Sequence, residues 1–309
     1  MTEMSDSQTG PNVAGRVGPD RQQLSYRLLQ GAVDLHIHTA PDIFPRSVDA
    51  IDAAEDAKRA GMAAIAIKSH STDTSARAET ASIRTGFPVS GGVALNYPVG
   101  GLNPYAVEEC ARQGGRIVWL PTLGAAHFLC HCANVPILAE KSPKNAAGLT
   151  VTDDAGAVKP EVEEILQIIR ANDMVLASGH VTPAETLAVF RRAKEIGISR
   201  LVVTHPHAAF VGATSADMRA LAELGAMNEM HYAFVTPVIV PPQTFSFIAT
   251  MIRDTGVESC YLATDGGQAM NPRPAEALRL FICGMLNEGF TADEVEYMVR
   301  VAPTRILHG

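Results

Sequence analysis

The stretch Ala32-Val33-Asp34-Leu35-His36-Ile37-His38-Thr39-Ala40 decides how this chain is read. Its apolar and polar residues alternate strictly, with the period of a β-strand. Val33, Leu35 and Ile37 are expected to point one way, and Asp34, His36 and His38 the other. Two imidazoles two residues apart on one strand face can reach a single metal ion. Their apolar neighbours turn that face toward the protein interior, where a buried imidazole needs a partner. Hydrogen bonds within the core would satisfy the pair, and so would a divalent ion. The rest of the chain weighs between the two.

Working outward, Ala63–His70 repeats the strand pattern, with Ile65 and Ile67 on one side and Ala64, Ala66, Lys68 and His70 on the other. Further strands are expected at Phe87–Asn96, Arg116–Leu123, Met174–His180, Arg200–His205, Ala226–Phe234 and Ser259–Asp265. Helical spacing separates them over Val48–Ala60, Asp73–Thr85, Tyr105–Gln113, Lys159–Asn172, Pro183–Ile196, Ser215–Leu224, Pro241–Asp254 and Pro274–Asn287, with glycine stops after several. A helix at Arg21–Gln30 leads in, and two short helices near Thr291–Val301 and Pro303–Leu307 finish the chain. The alternation is interrupted once, at Gly124–Val158, which shows no helical period. That segment holds His127, Cys130, His131 and Cys132, and its Asp153-Asp154-Ala155-Gly156 centre predicts a β-hairpin over Leu149–Val158.

Strand and helix alternating eight times imply a parallel sheet closed into a (β/α)8 barrel. One domain is expected over residues 21–309, with residues 124–158 as a lid-like insertion after strand four. Residues 1–20 are polar and read as a loose arm rather than a secretory leader. The 309 residues are 47% apolar and 19% charged, enough for a large core. The net charge is -8, and no basic run is present, which argues against nucleic acid as a partner. No apolar run is long enough to cross a bilayer. Five cysteines without framework spacing read as reduced thiols of a cytoplasmic protein.

The barrel also predicts where chemistry sits: at the C-terminal ends of the strands. Strand one ends in His36 and His38, and strand two in Lys68 and His70. Strand five ends in His180, strand six in His205 and then His207, strand seven in Glu229 followed by His231, and strand eight in Asp265. If the barrel forms, these side chains converge on one mouth.

This ordered set resembles the amidohydrolase superfamily of metal-dependent barrels. The match is His-X-His on strand one, His180 on strand five, His205 on strand six and Asp265 on strand eight; the ending Ala302-Pro303-Thr304-Arg305-Ile306-Leu307 is similar too. The resemblance implies one or two divalent ions, usually Zn2+ with Mn2+ or Fe2+ as substitutes, and hydrolysis of a small molecule by a metal-activated water. Binuclear members carry a bridging carboxylated Lys or a Glu at the end of strand four. Here strand four, Ile117-Val118-Trp119-Leu120-Pro121-Thr122, has neither. Lys68 would then be the bridge, as a carbamate formed on its neutral amine; the other readings are an ion pair, with Glu229 for example, or an anchor for a substrate carboxylate. Without a bridge the site is a one-metal centre of His36, His38, His180 and Asp265.

In the expected mechanism Asp265 takes and returns the proton, while the metal or His205 polarises the substrate oxygen of an amide, cyclic amide, lactone or ester. His70, His207, Glu229, Arg46 and His127 are expected to contact substrate, and Arg77 is a further candidate for an anionic group. Two alternatives use the same mouth: a metal-dependent decarboxylase or hydratase, and a metal-free Schiff-base lyase built on Lys68. A non-catalytic metal sensor is a third. A homo-oligomer is left open.

Overall fold

The computed structural model describes residues 20–144 and 146–309. Of the arm expected over residues 1–20, only Asp20 lies within them; its carboxylate caps the helix Arg21–Leu29 by accepting from the Gln22 and Gln23 N–H groups. The strands are β1 (Val33–His38), β2 (Ala64–Lys68), β3 (Val89–Ser90), β4 (Gly92–Ala94), β5 (Ile117–Trp119), β6 (Val175–Ala177), β7 (Leu201–Thr204), β8 (Met227–His231) and β9 (Cys260–Ala263). They pair in sequence and in parallel as β1-β2-β3 and β4-β5-β6-β7-β8-β9.

β3 and β4 are one barrel strand broken at Gly91, so nine segments make the eight strands of a (β/α)8 barrel. Thr74 stitches the break: its hydroxyl accepts from the Gly92 N–H at 2.9 Å and donates to the Ile67 carbonyl at 2.8 Å. On the far side the ring is completed by a parallel bridge between Ile37 and Gly266, with the His38 N–H donating to the Gly266 carbonyl at 2.8 Å.

The helices lie where the periodicity puts them. Ser75–Thr85, Pro160–Ala171, Pro183–Glu195 and Pro274–Asn287 fall within a residue or two of expectation. Thr182 with Glu185, Thr214 with Asp217 and Thr291 with Glu294 form capping boxes that fix three helix starts. Below the strands, the helix Ala302–His308 plugs the barrel. Its Ile306 and Leu307 pack with Val33, Leu35, Trp119 and Tyr261, and Arg116 and Arg200 both donate to the Leu307 carbonyl.

Four expectations need correction. First, strand one does not alternate throughout. Val33 and Leu35 pack in the barrel interior, but Ile37 packs outward with Val48, Ile65 and Ile67, because the register slips between Asp34 and Ile37. This bulge separates Asp34 from His36 and His38 and turns its carboxylate to the Thr264 hydroxyl and N–H, at 2.5 and 3.1 Å.

Second, the insertion contains helices, Ala126–His131 and Pro136–Lys141, too short to show a period. The expected hairpin is a turn with one antiparallel bridge, Thr152 to Val158, while Leu149 pairs in parallel with Ala125. Third, strand seven stops at His231 and gives way to a 3-10 turn over Tyr232–Val235, and the helix expected from Pro241 begins at Phe245. Last, the two closing helices are continuous, joined by a π turn over Tyr297–Val301 just before Pro303, whose missing N–H cannot serve an α-helical bond.

Candidate active site at the barrel mouth

The bulge in β1 aims both of its imidazoles inward. Gly267 makes this packing feasible: at φ 108° it lies against the backbone of His38, and a Cβ there would stand 1.8 Å from the His38 carbonyl oxygen. Two non-glycine residues at strand ends, His205 and Asp265, adopt left-handed backbone conformations, with φ of 52° and 47°. Such conformations are costly and persist where the surroundings over-determine them, often at functional sites.

The side chains meet closely. His38 Nε2 lies 3.1 Å and His36 Nε2 3.5 Å from Asp265 Oδ1, and His205 Nε2 lies 4.0 Å from Asp265 Oδ2. The His180 ring centre is 5.2 Å from that of His205 and 6.2 Å from that of His70. Lys68 Nζ sits 3.1 Å from His36 Nε2 and 5.3 Å above the Trp119 ring, which fills the strand-four position.

Glu229 organises the tautomers. It is fully buried and accepts from Tyr261 Oη at 2.6 Å, from His36 Nδ1 at 3.1 Å and from His231 Nε2 at 3.2 Å. On its other side His231 places Nδ1 2.9 Å from His205 Nδ1, within hydrogen-bond reach. With its Nδ1 proton given to Glu229, neutral His36 keeps Nε2 unprotonated, toward Asp265. Burial alone would raise the Glu229 carboxyl, but His231 and His36 outweigh it and hold it well below the usual range. A second relay serves His70. The Thr122 hydroxyl accepts from Asn96 Nδ2 at 2.7 Å and donates to His70 Nδ1 at 3.0 Å, leaving the His70 proton on Nε2.

Burial, with nearby cations and imidazoles adding, pushes His36 down to about 3 and His38, His70, His180 and His205 well below the ordinary imidazole value. Burial likewise lowers Lys68, to about 8, against the opposing pull of Asp265 and Glu229. The imidazoles are thus neutral lone-pair donors at pH 7. Three of their nitrogens, both of His180 and Nδ1 of His38, are buried without a hydrogen bond among the described residues. Two groups offer ligand atoms within 4.8 Å of one another, His36/His38/Asp265 and His36/His205/His231. Neutral imidazoles, orphaned nitrogens and a carboxylate form a donor set that fits a divalent cation.

Above this layer a cleft opens, lined by His38, His70, His180, His205 and Asp265 at its base. Arg46 reaches the wall, but Asp42 already holds it, with Nε and Nη2 at 2.8 and 2.7 Å from Oδ2. Glu229 and His207 lie behind the mouth rather than in the cleft; His207 packs on His231 and Phe234. His127 is turned away, its Nε2 facing the Val211 carbonyl at 3.2 Å, and the Arg77 guanidinium bonds the Thr39 carbonyl. Cys130 and His131 are exposed on the insertion, and among the described residues no group of three close ligands forms there. The sequence reading missed the partners that set orientation, namely Asp42, Asn96, Thr122, Tyr261 and Thr264. Only Asp42 left a local signal, four residues before Arg46.

Residues 31–229 match the model of a family of unknown function, DUF6282, and the chain belongs to that family. No curated protein matches the sequence. Among solved structures, the chain resembles an amidohydrolase from Pseudomonas aeruginosa, at 10% identity and a TM-score of 0.56, covering 93% of this chain and 98% of that one. It also resembles the probable dipeptidase PvdM from Pseudomonas aeruginosa, at 10% identity and a TM-score of 0.61, over 93% and 97% of the two chains. A third likeness is to a 2,6-dihydroxybenzoate decarboxylase, at 10% identity and a TM-score of 0.51, over 90% and 99%. The chain therefore shares the barrel fold of these structures. Among the described residues no helix is long and apolar enough to cross a membrane.

Proposed function

We propose that residues 21–309 form a single-domain, metal-dependent hydrolase acting on an amide, cyclic amide, lactone or ester of a small molecule. The observation that carries this reading is the meeting of His36 and His38 with Asp265, at 3.5 and 3.1 Å, beneath an open cleft. His36, His38, His180 and Asp265 would hold the ion, with His205 beside them; Zn2+ is the first candidate, and Mn2+ or Fe2+ suit the same donors. When bound, the ion polarises the substrate carbonyl and lowers the pKa of water toward neutrality.

The protein's own groups supply the rest. Asp265, 16% exposed at its side chain, takes a proton from the attacking water as the new C–O bond forms. It returns that proton to the leaving nitrogen or oxygen as the scissile bond breaks. The His70 Nε2–H, fixed by Thr122, is suited to hydrogen-bond the substrate oxygen. Lys68 is fully buried and does not line the cleft, which disfavours a Schiff base with substrate. A second ion would require an anionic bridge, and a carbamate on Lys68 would supply it. The five cysteines, all free, suit a reducing compartment, and we place the enzyme in the cytoplasm.

The test compares chelator-stripped with Zn2+-reconstituted protein on a panel of amides, lactones, esters and aromatic acids. Hydrolysis by the reconstituted form alone is expected. Release of carbon dioxide without hydrolysis would move the assignment to carbon–carbon chemistry. Full activity of stripped protein, with borohydride trapping an adduct at Lys68, would overturn it.

A further inference from the structure

Above the ring of imidazoles and Asp265, the cleft changes character. Its walls are Phe44 from the loop after β1, Val135, Ile137 and Leu138 from the insertion, Phe210 after β7, and Phe234, Val238 and Ile239 after β8. Four separate segments thus deliver apolar side chains to one space. The one wall residue that is always cationic, Arg46, is 3% exposed at its side chain and already paired with an Asp42 carboxylate that is wholly buried. An anionic substrate group would find that charge neutralised and the amide of Gln268, the other polar wall side chain, already bonded to the Asp265 carbonyl and to Asn271. The approach is apolar as well. Ile43 and Val240 are 46% and 54% exposed, each one position along the chain from a wall residue. The space open to the centre of a water-sized sphere is about 30 Å³, which bounds the ligand at modest size.

We infer that the substrate is an uncharged carboxylic acid derivative whose non-reacting part is an apolar group the size of a single ring. This rests on the hydrolase reading above: the polar end of the substrate meets His70 and the metal ligands, and the apolar end fills the space between Phe44, Phe210 and the insertion. The insertion selects for that group by supplying one wall, Val135, Ile137 and Leu138.

The experiment measures calorimetric binding of three hydroxamates to Zn2+-loaded protein: acetohydroxamate, benzohydroxamate and the monohydroxamate of succinic acid. Each presents the same chelating head, so the tail alone differs. Benzohydroxamate should bind at least about 10-fold more tightly than either of the others, as burial of a ring predicts. Leu138→Asp should weaken benzohydroxamate by about 10-fold and leave acetohydroxamate unchanged, since it alters only the wall of the tail site. Equal affinities for all three, or preference for the succinic derivative, would overturn the inference while leaving the metal centre intact. Failure of even acetohydroxamate to bind would instead remove the metal reading on which the inference stands.

Discussion

Two layers of the barrel interior are equally buried and opposite in chemistry. The lower layer consists of Val33, Leu35, Ala64, Ala66, Trp119, Val175, Ala177, Val202 and Tyr261, closed from below by Ile306 and Leu307. The upper layer consists of His36, His38, Lys68, His70, His180, His205, Glu229 and His231, each no more than 5% exposed, with Asp265 at its rim. The lower layer stabilises the fold by removing apolar surface from water. The upper layer cannot do so: it buries polar and ionisable groups that cost free energy unless fully partnered, and among the described residues neither ring nitrogen of His180 has a hydrogen-bond partner. The difference teaches that the upper layer is kept for what it binds, and that the lower layer and the outer helices carry the stability that permits it.

The largest expected effect separates chemistry from stability in the upper layer. Asp265→Asn should reduce kcat about 10²- to 10⁴-fold, the range for loss of a general acid–base group, while the thermal midpoint of metal-free protein is retained. Unchanged kcat would remove Asp265 from the mechanism. The lower layer should answer in the opposite way. Ile306→Ala should cost about 2–5 kcal/mol of stability, measured by denaturant unfolding, with the zinc affinity of the folded protein kept within about twofold. A large loss of zinc affinity there would show that the layers are not separable.

Glu229→Gln tests how the upper layer is ordered. It removes the charge that fixes His36 and, through His231, His205, and should lower zinc affinity by about 10- to 100-fold, as for carboxylates behind other metal-bound histidines. Asp should recover little, because its shorter side chain cannot span His36, His231 and Tyr261 together. Equal affinity in Glu229→Gln would leave the tautomer assignment without support.

The smallest effect per group concerns acid. His36, His38, His70, His180 and His205 all have folded-state pKa values pushed below the unfolded value. Below the unfolded pKa the unfolded chain binds protons that the folded chain does not, so stability is present above about pH 6.5 and is lost as the pH falls. Each imidazole contributes up to about 1.4 kcal/mol per pH unit. The thermal midpoint of stripped protein should therefore fall steeply between about pH 6.5 and 5, and less steeply in His180→Phe. A flat profile would place these imidazoles in water.

The period of two and the period of 3.6 made the barrel legible, because each barrel strand buries one face and each helix one stripe. The strand ends then gave the histidines and Asp265 without any tertiary information. What stayed hidden depends on neighbours remote in sequence. The bulge in β1 is held by Thr264, so alternation within Ala32–Ala40 alone puts Asp34 on the wrong face. Glu229 resembles a substrate contact until His36, His231 and Tyr261 surround it. Arg46 resembles an anion anchor until Asp42 is seen to hold it. The insertion's helices are six residues each, below the length at which a helical period registers. Leu149–Val158, expected to be a hairpin of the lid-like insertion, is tied down at its base: Leu149 bonds Gly124 and Ala126, and the Val151 N–H bonds Glu185. The segment that faces the cleft is the earlier one, around Val135–Leu138.

The central claim is a metal centre built on strand one, and calorimetric titration of Zn2+ into chelator-stripped protein tests it most directly, comparing wild type with His38→Ala. The account predicts saturable binding of about one ion per chain in wild type, or two if Lys68 carries a carbamate, and a loss of at least about 100-fold in affinity in His38→Ala. Absence of saturable binding in wild type, or equal affinity in the variant, would contradict it.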